Sequence, residues 1–242
     1  MTDVLYIVRP SGWNYDEELR YALRSLEKHA RNIGRVFVCG DIPEFLSDDV
    51  VKISCDNPHN RKAKNLQYRL EYAIQHSDIG NRFLLSSDDI FLMQDVDLDN
   101  YPHFWKNGAE ISVPAELENT KIGHIVANAR EVLKQFGCTM QDFGGGHCLH
   151  WIYKNLWQQN AEMRAAAMNS KYGVPVDLMS GAMIAKELHP VHIIRTDLKF
   201  NYIPTDDELR AADCFSTGDR PDLWNGDKWL NELYPNKSRY EK

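Results

Sequence analysis

Along its first half the chain alternates short apolar runs with longer stretches in which apolar residues recur every three or four positions. VLYIVR (4–9), RVFVCG (35–40), VVKISC (50–55) and RFLLSS (82–87) have the length and composition of strands. Between the first two, NYDEELRYALRSLEKHARNIG places Leu19, Leu23, Leu26 and Ala30 at helical spacing, with Asn14 or Asp16 to cap the start and Gly34 to stop it. A second helix is predicted from about Arg61 to Ser77, packed through Leu66, Leu70, Ala73 and Ile74; at 100° per residue Lys62, Asn65 and Arg69 share a face beside that stripe. Further on, the pattern predicts a strand over 109–116, a helix over 120–137 ending at Gly137, and a third long helix over 156–173. Residues 174–242 hold short apolar pieces, prolines and several turn signals.

Strands alternating with helices imply an α/β fold, a sheet with helical crossovers. No repeat, low-complexity tract or linker divides the 242 residues, so one domain is expected, with residues 1–116 forming one half and 117–242 folding back on it. A net charge of −7 argues against a general nucleic-acid coat. Five cysteines, odd in number and never spaced as CxxC, suggest reduced thiols rather than a disulfide framework or structural zinc site. The N-terminus carries no leader pattern, and no apolar run approaches the roughly 18 residues that span a bilayer, so a soluble cytoplasmic protein is expected.

One stretch resists a purely structural reading. FLLSSDDIFLM (83–93) sets Asp88 and Asp89 inside an otherwise buried run, where unpaired charge costs several kcal/mol. Either the strand ends and the acids occupy a turn, or a cation sits on them. In α/β sheets ligands gather at the carboxyl ends of strands, and hard oxygen donors there suit Mg²⁺ or Mn²⁺. Arg61, Lys62 and Lys64 open the second helix, while Arg20 and Arg24 lie one turn apart on the first. These bases could converge on an anionic group, or simply pair with neighbours such as Glu17 and face solvent. His147 and His150 follow three glycines in DFGGGHCLHWIYK, a loop able to bring a side chain close to a ligand. No GxSxG, HExxH, P-loop or GxGxxG pattern is present, which weakens hydrolase, zinc-protease, NTPase and dinucleotide-oxidoreductase readings.

Taken in order, these pieces resemble the Stealth-type sugar-phosphate transferases and a related group of phage and bacterial glycosyltransferase-like proteins. Their E-L-R-Y-S-L-R-S pattern, strand ending near V-G or V-T-D, K-x-x-N helix and N-D-D-x-F strand end are matched by Glu18–Ser25, Val36–Asp41, Lys62–Asn65 and Ser87–Phe91. In the tail, DFGGGHCLHWIYKNLW is similar to their H-x-P segment, and CFSTGDRPDLWNGDKWLNELYPNKSRYE to their closing S-x-x-D…F-P-x-P-S-x-(F/Y)-E. Ser87 replaces the usual Asn, Leu149 stands where proline is usual, and Arg9-Pro10-Ser11-Gly12 replaces an acidic-glycine turn.

The resemblance implies a glycosyltransferase A-type fold with a Rossmann-like mixed sheet, and transfer of a sugar from a nucleotide-sugar donor, UDP-linked, to a hydroxyl acceptor. It implies Mg²⁺ or Mn²⁺ on Asp88 and Asp89, with His147 as a further ligand or phosphate contact. Arg9, Arg20, Arg24, Lys62 and Asn65 form the expected nucleotide and diphosphate set. Glu116, Asp142 and Asp219 are unranked candidates for the base. Alternatives are Stealth-like sugar-1-phosphate transfer in polysaccharide synthesis, phage-type glycosylation of a hydroxylated DNA base, and a non-catalytic nucleotide- or carbohydrate-binding module. The expected setting is a bacterial or phage-infected cytoplasm, with a glycan or a modified DNA base as acceptor.

Overall fold

The computed structural model describes residues 1–9, 15–106, 119–138, 148–188, 192–195, 199–200, 202–210, 214–217 and 225–242. In chain order the elements are β1 (Thr2–Val8), α1 (Tyr15–His29), β2 (Ala30–Arg31), β3 (Ile33–Gly40), β4 (Val50–Ser54), α2 (Lys62–His76), β5 (Arg82–Ser87), β6 (Ile90–Leu92), β7 (Val96–Asp97) and β8 (His103–Lys106). There follow α3 (Lys121–Lys134), β9 (His150–Tyr153), α4 (Lys154–Gln159), α5 (Ala161–Asn169), α6 (Val176–Leu188), β10 (His192–Arg195), β11 (Lys199–Phe200), α7 (Asp206–Arg210), β12 (Cys214–Thr217) and α8 (Gly226–Leu233).

The main sheet has the order β4-β3-β1-β5-β9, parallel except for β9, which runs antiparallel to β5. This is the mixed, helix-flanked α/β architecture expected from the sequence. Its inner strands are apolar on both sides, as a doubly covered parallel sheet requires. Along β1, Val4, Tyr6 and Val8 face one core with Leu19, Leu23 and Leu26 of α1. Leu5 and Ile7 face the other core, with Leu70, Ala73 and Ile74 of α2. The two helices therefore lie on opposite faces of the sheet.

That arrangement follows from the handedness of crossovers. The chain steps from β1 through α1 to β3 and on to β4, then returns through α2 to β5 on the far side of β1. Right-handed connections running in opposite directions put their helices on opposite faces, and the strand order reverses between β1 and β5. In open α/β sheets ligands bind at such a reversal, beyond the carboxyl ends of the two strands.

After β5 the chain leaves the main sheet. Residues Ile90–Leu92 pair antiparallel with β12, Phe91 opposite Phe215, in a second sheet of order β11-β12-β6. This layer packs with α1, α8 and the C-terminal residues on the β1 face that α1 covers, while α3, α5 and most of α6 join α2 on the other. Elements after β5 thus pack on both faces of the main sheet, and β9 joins its edge.

Three local expectations change. Gly34 does not end α1: the helix stops at His29, Asn32 takes the left-handed conformation with φ 59°, and Gly34 lies within β3. A Cβ on Gly34 would come within 2.6 Å of Asp3 Oδ1, so the glycine serves close strand approach. The single helix over 156–173 is two, α4 and α5, divided at Asn160, whose side-chain amide donates to the Leu156 carbonyl at 2.9 Å. The region after residue 174 contains a 13-residue helix, α6, buried at Val176, Met179, Ser180, Gly181, Ala182, Met183 and Ile184. A helix enclosed on nearly all sides has no polar stripe to reveal it. The strand expected over 109–116 lies outside the described residues, as do Asn14 and the side chain of Asp16.

Candidate functional site

The ends of β1 and β5 meet at the strand-order reversal. Ile7 is opposite Ser87 in the β1–β5 ladder, so Arg9, two residues past Ile7, emerges beside Asp88 and Asp89. The aspartates form the turn between β5 and β6, at the point where the chain crosses from one sheet to the other. Both are half-buried, and Ser87 Oγ donates a hydrogen bond to Asp89 Oδ1. Burial first, and then the charge of Asp89, raise the Asp88 pKa well above the usual carboxylate range; Lys62 and Arg9 pull it back. The sequence leaves a turn and a bound cation as alternatives for this pair. The turn exists, and it sets two carboxylates side by side where the charges of Lys62 and Arg9 act on Asp88.

Lys62 reaches this place because α2 begins there, after a loop from the end of β4. Asn65 secures that loop: its side chain accepts from the His59 amide at 2.8 Å and donates to the His59 carbonyl at 2.6 Å. Its polar atoms are engaged by protein, which makes Asn65 a positioning residue.

Arg69, one helical turn further, is 1% exposed. Its guanidinium donates to the Val8 carbonyl at the end of β1, to Asp41 Oδ2 just past β3 at 2.9 Å, and to the Cys55 and Asp56 carbonyls past β4, each at 3.3 Å. One buried side chain thereby binds three adjacent strand ends to α2. Gly40 permits it: with φ 130°, a Cβ there would lie 2.1 Å from the Val8 carbonyl oxygen and 3.0 Å from Arg69 Nη1. Sequence reasoning placed Arg69 on the helix face shared with Lys62 but missed this role, since its partners are backbone atoms from distant strands.

Arg20 and Arg24 do not join the cluster. They lie on α1, across the sheet from Lys62, and bind Glu241, whose side chain is fully buried. Arg24 Nε and Nη2 each approach a Glu241 carboxylate oxygen at 2.9 Å, Arg24 Nη1 donates to the Tyr234 carbonyl, and Arg20 Nη1 reaches Glu241 Oε2 at 3.1 Å. Arg20 also lies 3.4 Å from Glu17, the ordinary pairing considered for it. Ser238 donates to Glu241 through both its amide and its hydroxyl. Two segments that carry the family resemblance, Glu18–Ser25 and the SRYE tail, are therefore partners in one latch.

His147, Glu116, Asp142 and Asp219 lie outside the described residues. Among the described residues no third His, Cys, Asp or Glu completes a metal-binding group with Asp88 and Asp89.

No family model and no curated protein matches the chain. Among solved structures, galactosyltransferase LgtC in complex with donor and acceptor sugar analogs aligns over 98% of this chain and 96% of its own, at 14% identity and a TM-score of 0.55. The fold is that of LgtC. An active-site mutant of LgtC aligns over the same shares, at 13% identity and a TM-score of 0.49. The LgtC-like fold accounts for nearly the whole chain, including the part that folds back after β5. Among the described residues no helix is long and apolar enough to cross a membrane.

Proposed function

We propose that this protein is a glycosyltransferase that takes a sugar from a nucleotide-sugar donor, UDP-linked, and passes it to a hydroxyl acceptor, with Mg²⁺ or Mn²⁺ held by Asp88 and Asp89. The observation that carries the reading is the crowding of two carboxylates beside Arg9 and Lys62 at the strand-order reversal of an LgtC-like fold.

The donor set suits such an ion. Two carboxylates forced together gain from a divalent charge between them, and Mg²⁺ or Mn²⁺ commonly takes only one or two protein carboxylates, completing its shell with water and phosphate oxygens. When bound, the ion would supply charge stabilisation to the diphosphate that leaves the sugar. The chain's own residues contribute fixed geometry. Arg9 and Lys62 add positive charge at the same mouth, Ser87 orients Asp89, and Arg69 with Gly40 holds the surrounding strand ends so that little reorganisation is needed. His147 remains a proposed further ligand, and Glu116, Asp142 and Asp219 remain the candidate bases for an inverting reaction.

Titrating Mn²⁺ with and without a UDP-sugar tests the assignment. In Asp89→Ala, metal-dependent nucleotide binding should fall at least about tenfold, the scale of one lost charge-assisted contact. Undiminished binding would remove it. Release of UDP, rather than UMP, is expected as the product and separates sugar transfer from sugar-phosphate transfer.

A further inference from the structure

Beside the start of α2 lies a group of cations whose charges no described carboxylate neutralises and which two aromatic rings help to gather. Arg20, Arg24, Arg35, Arg69, Arg164, Arg210 and Arg239 all contact carboxylates. Arg61, Lys64, Lys121 and Lys171 have no ion pair with any described carboxylate, although Asp and Glu outnumber Lys and Arg by 35 to 28.

What positions two of them is an aromatic ring. The Arg61 guanidinium lies 5.4 Å from the centroid of Tyr172, the Lys171 ammonium lies 5.1 Å from it, and the His124 ring is stacked on it at 5.8 Å. A ring quadrupole orients a cation without cancelling its charge, unlike a carboxylate. Lys121 sits one turn before His124 on the same face of α3.

Three segments are locked together to make this surface. Asn128 of α3 donates to Ser170 Oγ at 3.0 Å and to the Gly173 carbonyl at 2.8 Å, fixing the turn that carries Lys171 and Tyr172. Gly173, at φ 78°, packs so closely on the start of α2 that a Cβ would lie 3.0 Å from Lys64 Cγ and 3.1 Å from Ala63 Cβ. Arg61 is thereby held against Tyr172, one residue before Lys62, whose charge acts on Asp88.

From this juxtaposition we infer that the acceptor carries a phosphate group, bound by Arg61, Lys171, Lys64 and Lys121 next to the site where its hydroxyl would be glycosylated. A phosphate presents several strong acceptor oxygens to such donors. The occupant is a phosphorylated sugar rather than a long polyanion, because the patch is local and the chain as a whole carries −7. This deepens the glycosyltransferase reading and rests on it for the transfer step, whereas its binding test does not.

The test uses the whole protein in EDTA, titrated by NMR with glucose 6-phosphate, with glucose and with a single-stranded thymidine dodecanucleotide. Wild type should bind glucose 6-phosphate at least about tenfold more tightly than glucose. The preference should vanish in the double variant Arg61→Gln, Lys171→Gln and weaken severalfold in Lys121→Gln, whose exposed side chain can be changed without disturbing packing. It should persist in Asp89→Ala, which probes the metal reading separately. Equal binding of the two sugars, or a preference unaffected by all three basic-residue changes, would overturn the inference. Tighter, steeply salt-dependent binding of the oligonucleotide, lost in the same variants, would overturn it in favour of a nucleic acid.

Discussion

At the scale of single residues, Asp88 is the perturbed carboxylate of the candidate site. Its carboxyl is held above the ordinary value of 3.8, through burial and then through Asp89. A raised folded-state value means that the metal-free protein keeps its full contribution from this group below the ordinary aspartate range and loses it as pH rises through the raised value. A divalent ion bound as proposed would compete with that proton. The rise in melting temperature on adding Mn²⁺ should therefore be larger at about pH 8 than at about pH 5.5, and Asp88→Asn should flatten the difference. A melting shift that is equal at both pH values in wild type would contradict this. The pair stood out in the sequence because ionised groups are rare inside apolar runs. The crowding with Lys62 and Arg9 was less visible, since those residues are separated from the pair by whole crossovers.

At the scale of elements, the arrangement of strand ends beside the paired aspartates depends on α2 being tied to three of them. Replacing Arg69 by Met should destabilise the fold by about 3 kcal/mol or more, because Asp41 and several strand-end carbonyls lose a buried donor. Gly40→Ala should cost at least a comparable amount, from strain at φ 130° and the clash with the Val8 carbonyl. Denaturant melts followed by fluorescence measure both, and a loss under about 1 kcal/mol in either would show the tie to be dispensable. Elements with a clear period were legible: β1, β3, β4, β5, α1, α2 and α3 lie close to where the pattern predicts them. The division of α4 from α5 depends on the conformation adopted at Asn160, and α6 on enclosure by its neighbours, so neither had a local signal.

At the scale of the whole molecule, the latch between α1 and the C-terminus holds the folded-back layer in place. Burial pushes the Glu241 carboxyl up, but the hydrogen bonds from Arg24 and Ser238 outweigh it, and the group stays below its ordinary value of 4.5. Its contribution is present above that ordinary value and is lost as pH falls through the lowered one. Glu241→Ala should cost about 3 kcal/mol near neutral pH, since Arg24 and Arg20 then face a buried gap. The gap between wild-type and variant melting temperatures should narrow in acid, as measured by calorimetry across pH. An unchanged gap down to about pH 3 would place the stabilisation elsewhere.

Periodicity along the chain determined the class of fold, the main strands and the helices on either side, because burial of apolar stripes is decided by neighbours a few residues away. It also singled out the paired aspartates, whose cost is local. Which bases stand near them was decided only by tertiary structure. Handed crossovers send α1 and α2 to opposite faces, so that the charge of Lys62 acts on Asp88 while Arg20 and Arg24, equally promising in the sequence, are taken up by a glutamate more than two hundred residues further on.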